Sequence, residues 1–292
     1  MKKTRLTRAL CDWSIGMLAG SSPLKLTEWD KVRNPVLTRH HVTDCEATFV
    51  ADPFMLHEKG IWYMFFEAMV AATERGVISL ATSEDARTWT YWGIVLEEPF
   101  HLSYPYVFKW RGDFFMVPET LGAGCIRLYR AAVFPSRWVP FADLVEGEFA
   151  DSSIFRHQGR WWIMACGRPY RHDQLCLFDA ARLTGPWKEH PLSPIIDNNP
   201  HIARPGGRVI RWDGQLIRYA QDCFPTYGKQ VHAFRIVELT CATYRDAPAL
   251  DGPLLSPRED WTLFGMHHID ALHNPAGAGW IACVDGLGRS AI

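Results

Sequence analysis

One local pattern returns five times in this 292-residue chain, and it limits the possible folds more than any other feature. An apolar strand-like run meets a tight turn carrying Gly, and an aromatic-rich run follows. The copies are ADPFMLHEKGIWYMFFEA at 51–68, YPYVFKWRGDFFMVPET at 104–120, DSSIFRHQGRWWIMACG at 151–167, ARPGGRVIRWDGQLIRYAQD at 203–222 and HHIDALHNPAGAGWIACVDG at 267–286. Their turn glycines, Gly60, Gly112, Gly159, Gly214 and Gly279, lie 52, 47, 55 and 65 residues apart. Further strand-like runs follow, such as VISLATS at 77–83, TWTYWGIVL at 88–96, CIRLYRAA at 125–132 and QLCLFDAA at 174–181. A period near 50 with about four strands per unit is the pattern of a β-propeller. The Val, Ile and aromatic content of the hairpins agrees, because those side chains pack well on a pleated surface.

The reading is an all-β, five-bladed β-propeller in a single domain over 1–292, with blades starting near 49, 103, 150, 202 and 266. The fifth unit runs out near Val284, so WSIGMLAGSSP at 13–23 is predicted to add the strand that closes the ring and removes an exposed sheet edge. The 13 tryptophans then have a structural use. Trp62, Trp161, Trp162, Trp280, Trp89, Trp138 and Trp187 are expected to fill the wedges between blades with large apolar area.

Charge and cysteine usage narrow the setting. Lys plus Arg is 31 against 32 Asp plus Glu, a net charge of −1, which lacks the cationic excess that nucleic-acid binding needs. The basic head MKKTR is followed by no long apolar run, and no window approaches the ~20 apolar residues of a membrane span, so no membrane insertion is expected. Eight scattered cysteines without a CxxC pair point to a reducing, cytoplasmic environment.

Propeller geometry predicts where chemistry sits. The start of the innermost strand and the end of the second strand of an antiparallel hairpin lie at the same end of the channel. The innermost starts carry Asp52, Tyr104, Asp151, Arg204 and the His267–His268–Asp270 group, and the second strands end in Glu67, Glu119, Gln221 with Asp222, and Asp285. Carboxylates sharing one pocket push each other's proton affinities apart, as glycoside hydrolysis requires of its acid and base. Any two of Asp52, Glu119 and Asp151 could flank a sugar, with Glu67, Tyr104, His201, Arg204, Gln221, Asp222, His268 and Asp270 expected to bind it.

WSIG at 13–16, FVADPF at 49–54, HLSYPYVF at 101–108, VPET at 117–120, HIARPGGR at 201–208, RYAQDC at 218–223 and GMHHID at 265–270 together resemble one known family. It comprises the N-terminal domain of glucosamine inositolphosphorylceramide transferases and stand-alone bacterial relatives. The plant transferases carry a separate C-terminal glycosyltransferase domain for which these 292 residues leave no room, so that transferase activity is not expected to carry over. The ADPF turn at 51–54 also resembles the five-bladed glycosidases of families 43, 32, 68 and 117. That resemblance implies Asp52 as base or nucleophile, Asp151 as the carboxylate that tunes and orients, and Glu119 as general acid. YPY at 104–106 stands where family 32 has its RDP block, which leaves Glu67, Asp222 and Asp270 as rivals for the third carboxylate.

The remaining expectations concern charge. Arg204 and Arg208 could take an anionic sugar, because guanidinium forks match carboxylate and phosphate, or they could neutralise nearby acids. No cofactor is expected, the alternative being a divalent ion near His268 and Asp270. Neighbouring strand residues face opposite ways, so His267 and His268 are not both expected to face the channel. The functional reading is a glycosidase-like carbohydrate-active enzyme, with a non-catalytic glycan or sugar-phosphate binding module as the alternative.

Overall fold

The computed structural model describes residues 11–275, 277 and 279–289. Their regular structure is β-strand, joined by short 3-10 turns at Arg39–His41 and Leu121–Ala123. Two strands come from the N-terminal segment, β1 (Cys11–Ser22) and β2 (Lys25–Glu28). Blade one follows as β3 (Ala47–Glu58), β4 (Ile61–Val70), β5 (Arg75–Ser83) and β6 (Thr90–Leu96). Blade two is β7 (Ser103–Trp110), β8 (Asp113–Glu119), β9 (Cys125–Val133) and β10 (Arg137–Glu146). Blade three is β11 (Ala150–His157), β12 (Arg160–Cys166), β13 (Leu175–Ala180) and β14 (Lys188–Glu189). Blade four is β15 (Ile210–Trp212), β16 (Gln215–Asp222), β17 (Gln230–Leu239) and β18 (Tyr244–Pro248). The chain ends with β19 (Ile269–His273) and β20 (Trp280–Arg289), which join the N-terminal pair in a sheet of order β19-β20-β1-β2. The protein is thus a five-bladed β-propeller whose ring is closed by the N-terminal segment, which supplies two strands where the sequence suggested one. Among the described residues no helix is long and apolar enough to cross a membrane.

Four of the five inner hairpins turn on Lys59-Gly60, Arg111-Gly112, Gln158-Gly159 and Asp213-Gly214, with positive φ at both residues of each pair. That is the two-residue turn whose twist matches the strands it joins. Apolar faces of neighbouring blades meet between the sheets. Phe54, Phe65, Ile78 and Leu80 of blade one share a buried cluster with Tyr104, Val107, Met116 and Leu128 of blade two. Trp62 packs in the opposite wedge with Ile15 and Met17 of the closing strand. Trp89, Trp138 and Trp187 each pin the turn before the fourth strand, their indole N–H donating to the carbonyls of Ala86 (3.1 Å), Pro135 (2.9 Å) and Leu183 (3.1 Å).

Blade four departs from expectation. Its innermost segment was predicted to run as a strand from about residue 203, yet only Ile210–Trp212 does so. Pro205 has no N–H to give a ladder, and Gly207, at φ 145°, lies so near blade five that a Cβ there would sit 1.8 Å from the Ile269 carbonyl oxygen. The segment instead makes single bridges, Pro205 with Ala220 and Gly207 parallel to Ile269.

Candidate active site at the channel mouth

A repeated backbone device aims the first residues into the axis. Asp52, Tyr104 and Asp151 occupy matching places on the inner strands of blades one to three, and all three lie in the left-handed region, with φ of 52°, 47° and 50°. At each, the ladder slips: between Ala51 and Phe54, Ser103 and Tyr106, and Ala150 and Ser153. Pro53 and Pro105 follow two of these residues and cannot donate to the ladder, so a bulge is the natural local solution. Left-handed backbone at a non-glycine residue costs about 1–3 kcal/mol and gathers at functional sites. The same register puts Glu67 opposite Ala51 and Glu119 opposite Ser103, at the mouth ends of their strands.

Blades two, three and four contribute one charged group. Asp151 Oδ2 accepts from Arg204 Nε at 2.6 Å and from Gln221 Nε2 at 2.6 Å. Arg204 Nη2 lies 3.5 Å from Glu119 Oε2, and the Asp151 backbone N–H donates to that same oxygen at 3.3 Å. Glu119 is pushed up to about 8, first by burial and then by the charge of Asp151, against the pull of Arg204.

Blades one and five contribute the other. Asp52 Oδ1 faces two imidazoles, His267 Nε2 and His268 Nδ1, each at 3.7 Å. Burial raises Asp52 to about 7; His267 and Arg204 hold it down, while Asp151 and Asp285 add to the rise. His267 Nδ1 lies 2.7 Å from Asp285 Oδ2, a close contact of imidazole and carboxylate. Burial would lower His267, but the Asp285 carboxylate outweighs it and the imidazole ends above its usual value. Asp285 is buried too, yet His267 brings it below the usual carboxylate range. Glu67, raised well above that range by burial and then by Asp52 and Glu119, has His101 Nε2 at 3.4 Å.

The sequence-derived candidates separate into three groups. Asp52, Glu67, Glu119, Asp151, Arg204 and Gln221 do meet at the mouth. His201 and Asp222 pair with each other at 2.9 Å on the rim of blade four, where Asp222 also accepts from Gln230. Tyr104, His268 and Asp270 are fully enclosed by protein. The Tyr104 hydroxyl lies between Ser153 and Gly207, accepting from the Gly207 N–H at 2.7 Å, which corrects its expected place against a ligand. Asp270 faces a cation of the chain's own. It holds Arg208 through two contacts of 2.7 and 3.1 Å and accepts the Met55 N–H at 2.7 Å. Arg204 is equally engaged, with Asp151, Glu119, the Pro169 carbonyl and His172 around its guanidinium, so neither arginine presents a free fork to an anion.

His267 and His268 both reach Asp52, contrary to the strand-alternation argument, because they precede β19 and escape its pleat. Other mouth residues were missed as site candidates. Trp13 stacks on His267 at 4.1 Å, and Tyr227 meets His267 edge-on at 5.3 Å and His172 at 5.0 Å. Trp13 and His101 open the WSIG and HLSYPYVF motifs, so position within those motifs was the usable signal; Tyr227 and His172 lie on loops and had none.

Comparison with known proteins agrees with the five-bladed fold and supplies a family. A family model described as glucosamine inositolphosphorylceramide transferase 1, N-terminal, matches residues 9–287. Glucosamine inositolphosphorylceramide transferase 1 of Oryza sativa subsp. japonica is 37% identical over 298 aligned residues, covering 94% of this chain and 40% of that protein. The Arabidopsis thaliana protein of the same name is 33% identical, with 94% and 39% covered. The chain therefore spans about two fifths of the length of these curated relatives. Among solved structures, a thermostable family-43 glycoside hydrolase aligns with a TM-score of 0.62 at 16% identity, over 90% of this chain and 93% of that one. A mutant of a Cellvibrio cellulosa α-L-arabinanase aligns with a TM-score of 0.58 at 16% identity, over 83% and 91%. At such identities the glycosidases share the fold, whereas the transferase match runs along the sequence itself. The chain belongs to the family of glucosamine inositolphosphorylceramide transferase 1 N-terminal domains.

Proposed function

We propose that the channel mouth is a carbohydrate-active site of glycosidase type, acting by hydrolysis or transfer at a glycosidic bond. One observation carries this reading: Asp52, Glu119 and Asp151 gather at one channel mouth, where Arg204 and Gln221 fix Asp151 and burial holds Asp52 up to about 7 and Glu119 to about 8. Glu119 keeps its proton at neutral pH and is suited to deliver it to a glycosidic oxygen. Asp52 ionises in the same range and is suited to take a proton from water or an acceptor hydroxyl, or to attack the anomeric carbon. Asp151 orients the pair and raises Glu119. The scheme invokes no cofactor, each of its steps being proton transfer or attack by a carboxylate.

A second reading, glycan binding without turnover, draws support from the rim. Tyr170, Phe224 and Tyr227 are 81%, 55% and 40% exposed, and such rings suit the C–H faces of sugars. The paired arginines favour a neutral glycan over a sugar phosphate in either case. Turnover of a panel of 4-nitrophenyl glycosides and oligosaccharides between pH 5 and 8 tests the proposal. Asp52→Asn and Glu119→Gln are expected to lower kcat/KM about 10²–10⁴-fold while leaving substrate binding in place. Binding by the wild type without turnover would select the second reading, and full turnover by either variant would sink the assigned roles.

A further inference from the structure

We propose that His267 and Asp285 are positioning residues that set the charge of Asp52, and that the ring-closing strand holds this pair in place through Trp13. The proposal deepens the reading of Asp52 as a proton-transfer group and takes its mechanistic meaning from it.

Asp285 anchors the arrangement. It is fully buried, and three backbone N–H groups converge on its carboxylate: Asp52 to Oδ2 at 3.1 Å, His267 to Oδ1 at 3.1 Å and His268 to Oδ1 at 3.0 Å. Three amide donors favour the ionised form of a carboxyl group. With the His267 Nδ1 edge against that anion at 2.7 Å, the opposite nitrogen, Nε2, is the one that faces Asp52 Oδ1 at 3.7 Å. A fixed carboxylate thus selects which imidazole nitrogen carries the proton and which addresses the reacting group. Asp52 also hangs from Asp285 by its own amide, so one buried carboxylate places both the acid and its imidazole neighbour.

The ring plane is held from both sides. Trp13 of β1 stacks on His267 at 4.1 Å with planes 23° apart, and Tyr227 closes the edge at 5.3 Å. Gly228 and Gly265 let this contact form, since a Cβ on Gly228 would come within 2.9 Å of the Trp13 ring and one on Gly265 within 2.3 Å of the Gly228 carbonyl. The strand that closes the propeller is therefore also a wall of the mouth.

The other groups around Asp52 do not duplicate the role. His268 lies in an aromatic cage, 4.6 Å from Phe54 and 5.2 Å from Tyr104, and burial lowers it to about 4, so it stands neutral at physiological pH. Arg204 bears on Asp52 but is bonded to Asp151. Asp151 and Asp285 oppose ionisation of Asp52, His267 opposes its protonation, and Asp52 in turn raises Glu67. His267 in turn faces Asp285, Asp52 and Asp151. Loss of the His267 proton removes the nearest cation, and Asp52 then takes up a proton more readily, so the two titrate together.

The test needs no substrate, which keeps it separable from the proposed activity. The full chain is labelled with ¹⁵N-histidine, and ring nitrogen shifts are followed from pH 4 to 10, with His267 assigned from the signal lost in His267→Gln. Neutral His267 is expected to carry its proton on Nδ1, and its titration midpoint to lie above the ordinary histidine value. Asp52→Asn is expected to lower that midpoint by about one pH unit and to make the curve a single step. Asp285→Asn is expected to lower it further and to populate the other tautomer. Should Asp285→Asn not fold, the wild-type tautomer and the Asp52→Asn comparison carry the test. A neutral His267 protonated on Nε2, or a midpoint indifferent to Asp52→Asn, would overturn the proposal. Coupling seen by NMR in a protein that turns over no glycoside would uphold it while defeating the proposed activity.

Discussion

Two arginine–aspartate pairs occupy the same channel, and HIARPGGR supplies both cations from positions four residues apart. Arg204 meets Asp151 at 2.6 Å, and Arg208 meets Asp270 at 2.7 Å. Their surroundings differ in kind. Arg208 lies four residues further along the segment, where its other donors reach the carbonyls of Val107 and Met55 and its guanidinium sits 4.7 Å from the Tyr106 ring. Its other neighbours are backbone carbonyls, aromatic rings and the buried Cys283, so the pair plugs the channel and ties blades one, two, four and five together. Arg204 lies beside Asp151, with Glu119 and His172 close by, two groups whose proton affinities burial and charge displace. The same ion pair therefore acts as packing in one place and as a control on its neighbours' charge in the other, according to whether those neighbours titrate.

Breaking each pair should expose that difference. Asp270→Ala strands a buried guanidinium with no replacement acid and is expected to cost about 3–5 kcal/mol of stability, measured by urea unfolding. Asp151→Ala is expected to cost clearly less, because Glu119 is 3.5 Å from Arg204 and can release its proton to become the replacement anion. Equal losses at the two positions would mean that the mouth is as rigidly tied as the plug.

A smaller effect reports the mouth alone. Asp52 rises from 3.8 to about 7 and Glu119 from 4.5 to about 8, so over that interval the folded protein holds protons that the unfolded chain has released. The stability tied to these groups is complete below about pH 4 and is lost as pH climbs through 7 and 8. Each group contributes at most about 1.4 kcal/mol per pH unit. Asp52→Asn and Glu119→Gln should each flatten the decline between pH 5 and 8 in unfolding experiments. A slope unchanged by both would place their protons elsewhere.

The same contrast explains what could be read from sequence. The five hairpins, their turns and the ring closure follow from a periodic pattern, because each copy must bury the same faces. The acids of the mouth were legible for the same reason: Asp52 and Asp151 share one repeat position, and Glu67 and Glu119 share another. What the repeat does not encode stayed hidden. Gly207 breaks the inner strand of blade four because of an approach to Ile269, a neighbour 62 residues away. His267 and His268 defied alternation because alternation holds only inside a strand. The plug stayed open between anion binding and neutralisation because nothing local distinguishes Arg208 from Arg204; only the three-dimensional position of Asp270 does.

The smallest expected effect isolates the loop-borne partner of the mouth arginine. His172 Nδ1 lies 2.9 Å from Arg204 Nη1, and burial, followed by the Arg204 charge, lowers the imidazole to about 4. It is therefore neutral near pH 7 and accepts from the guanidinium. His172→Ala removes one acceptor of several, since Nη1 keeps the Pro169 carbonyl at 3.0 Å and Nε keeps Asp151. A loss of about 1 kcal/mol is expected, the scale of a single hydrogen bond, with the pH slope assigned to Glu119 unchanged. Arg208 admits no comparable test, because its remaining acceptors are backbone carbonyls that no substitution deletes. If His172→Ala instead shifted the Glu119 titration, the loop over blade three would belong to the charge-setting group itself, and the boundary between mouth and rim would have to move outward to include it.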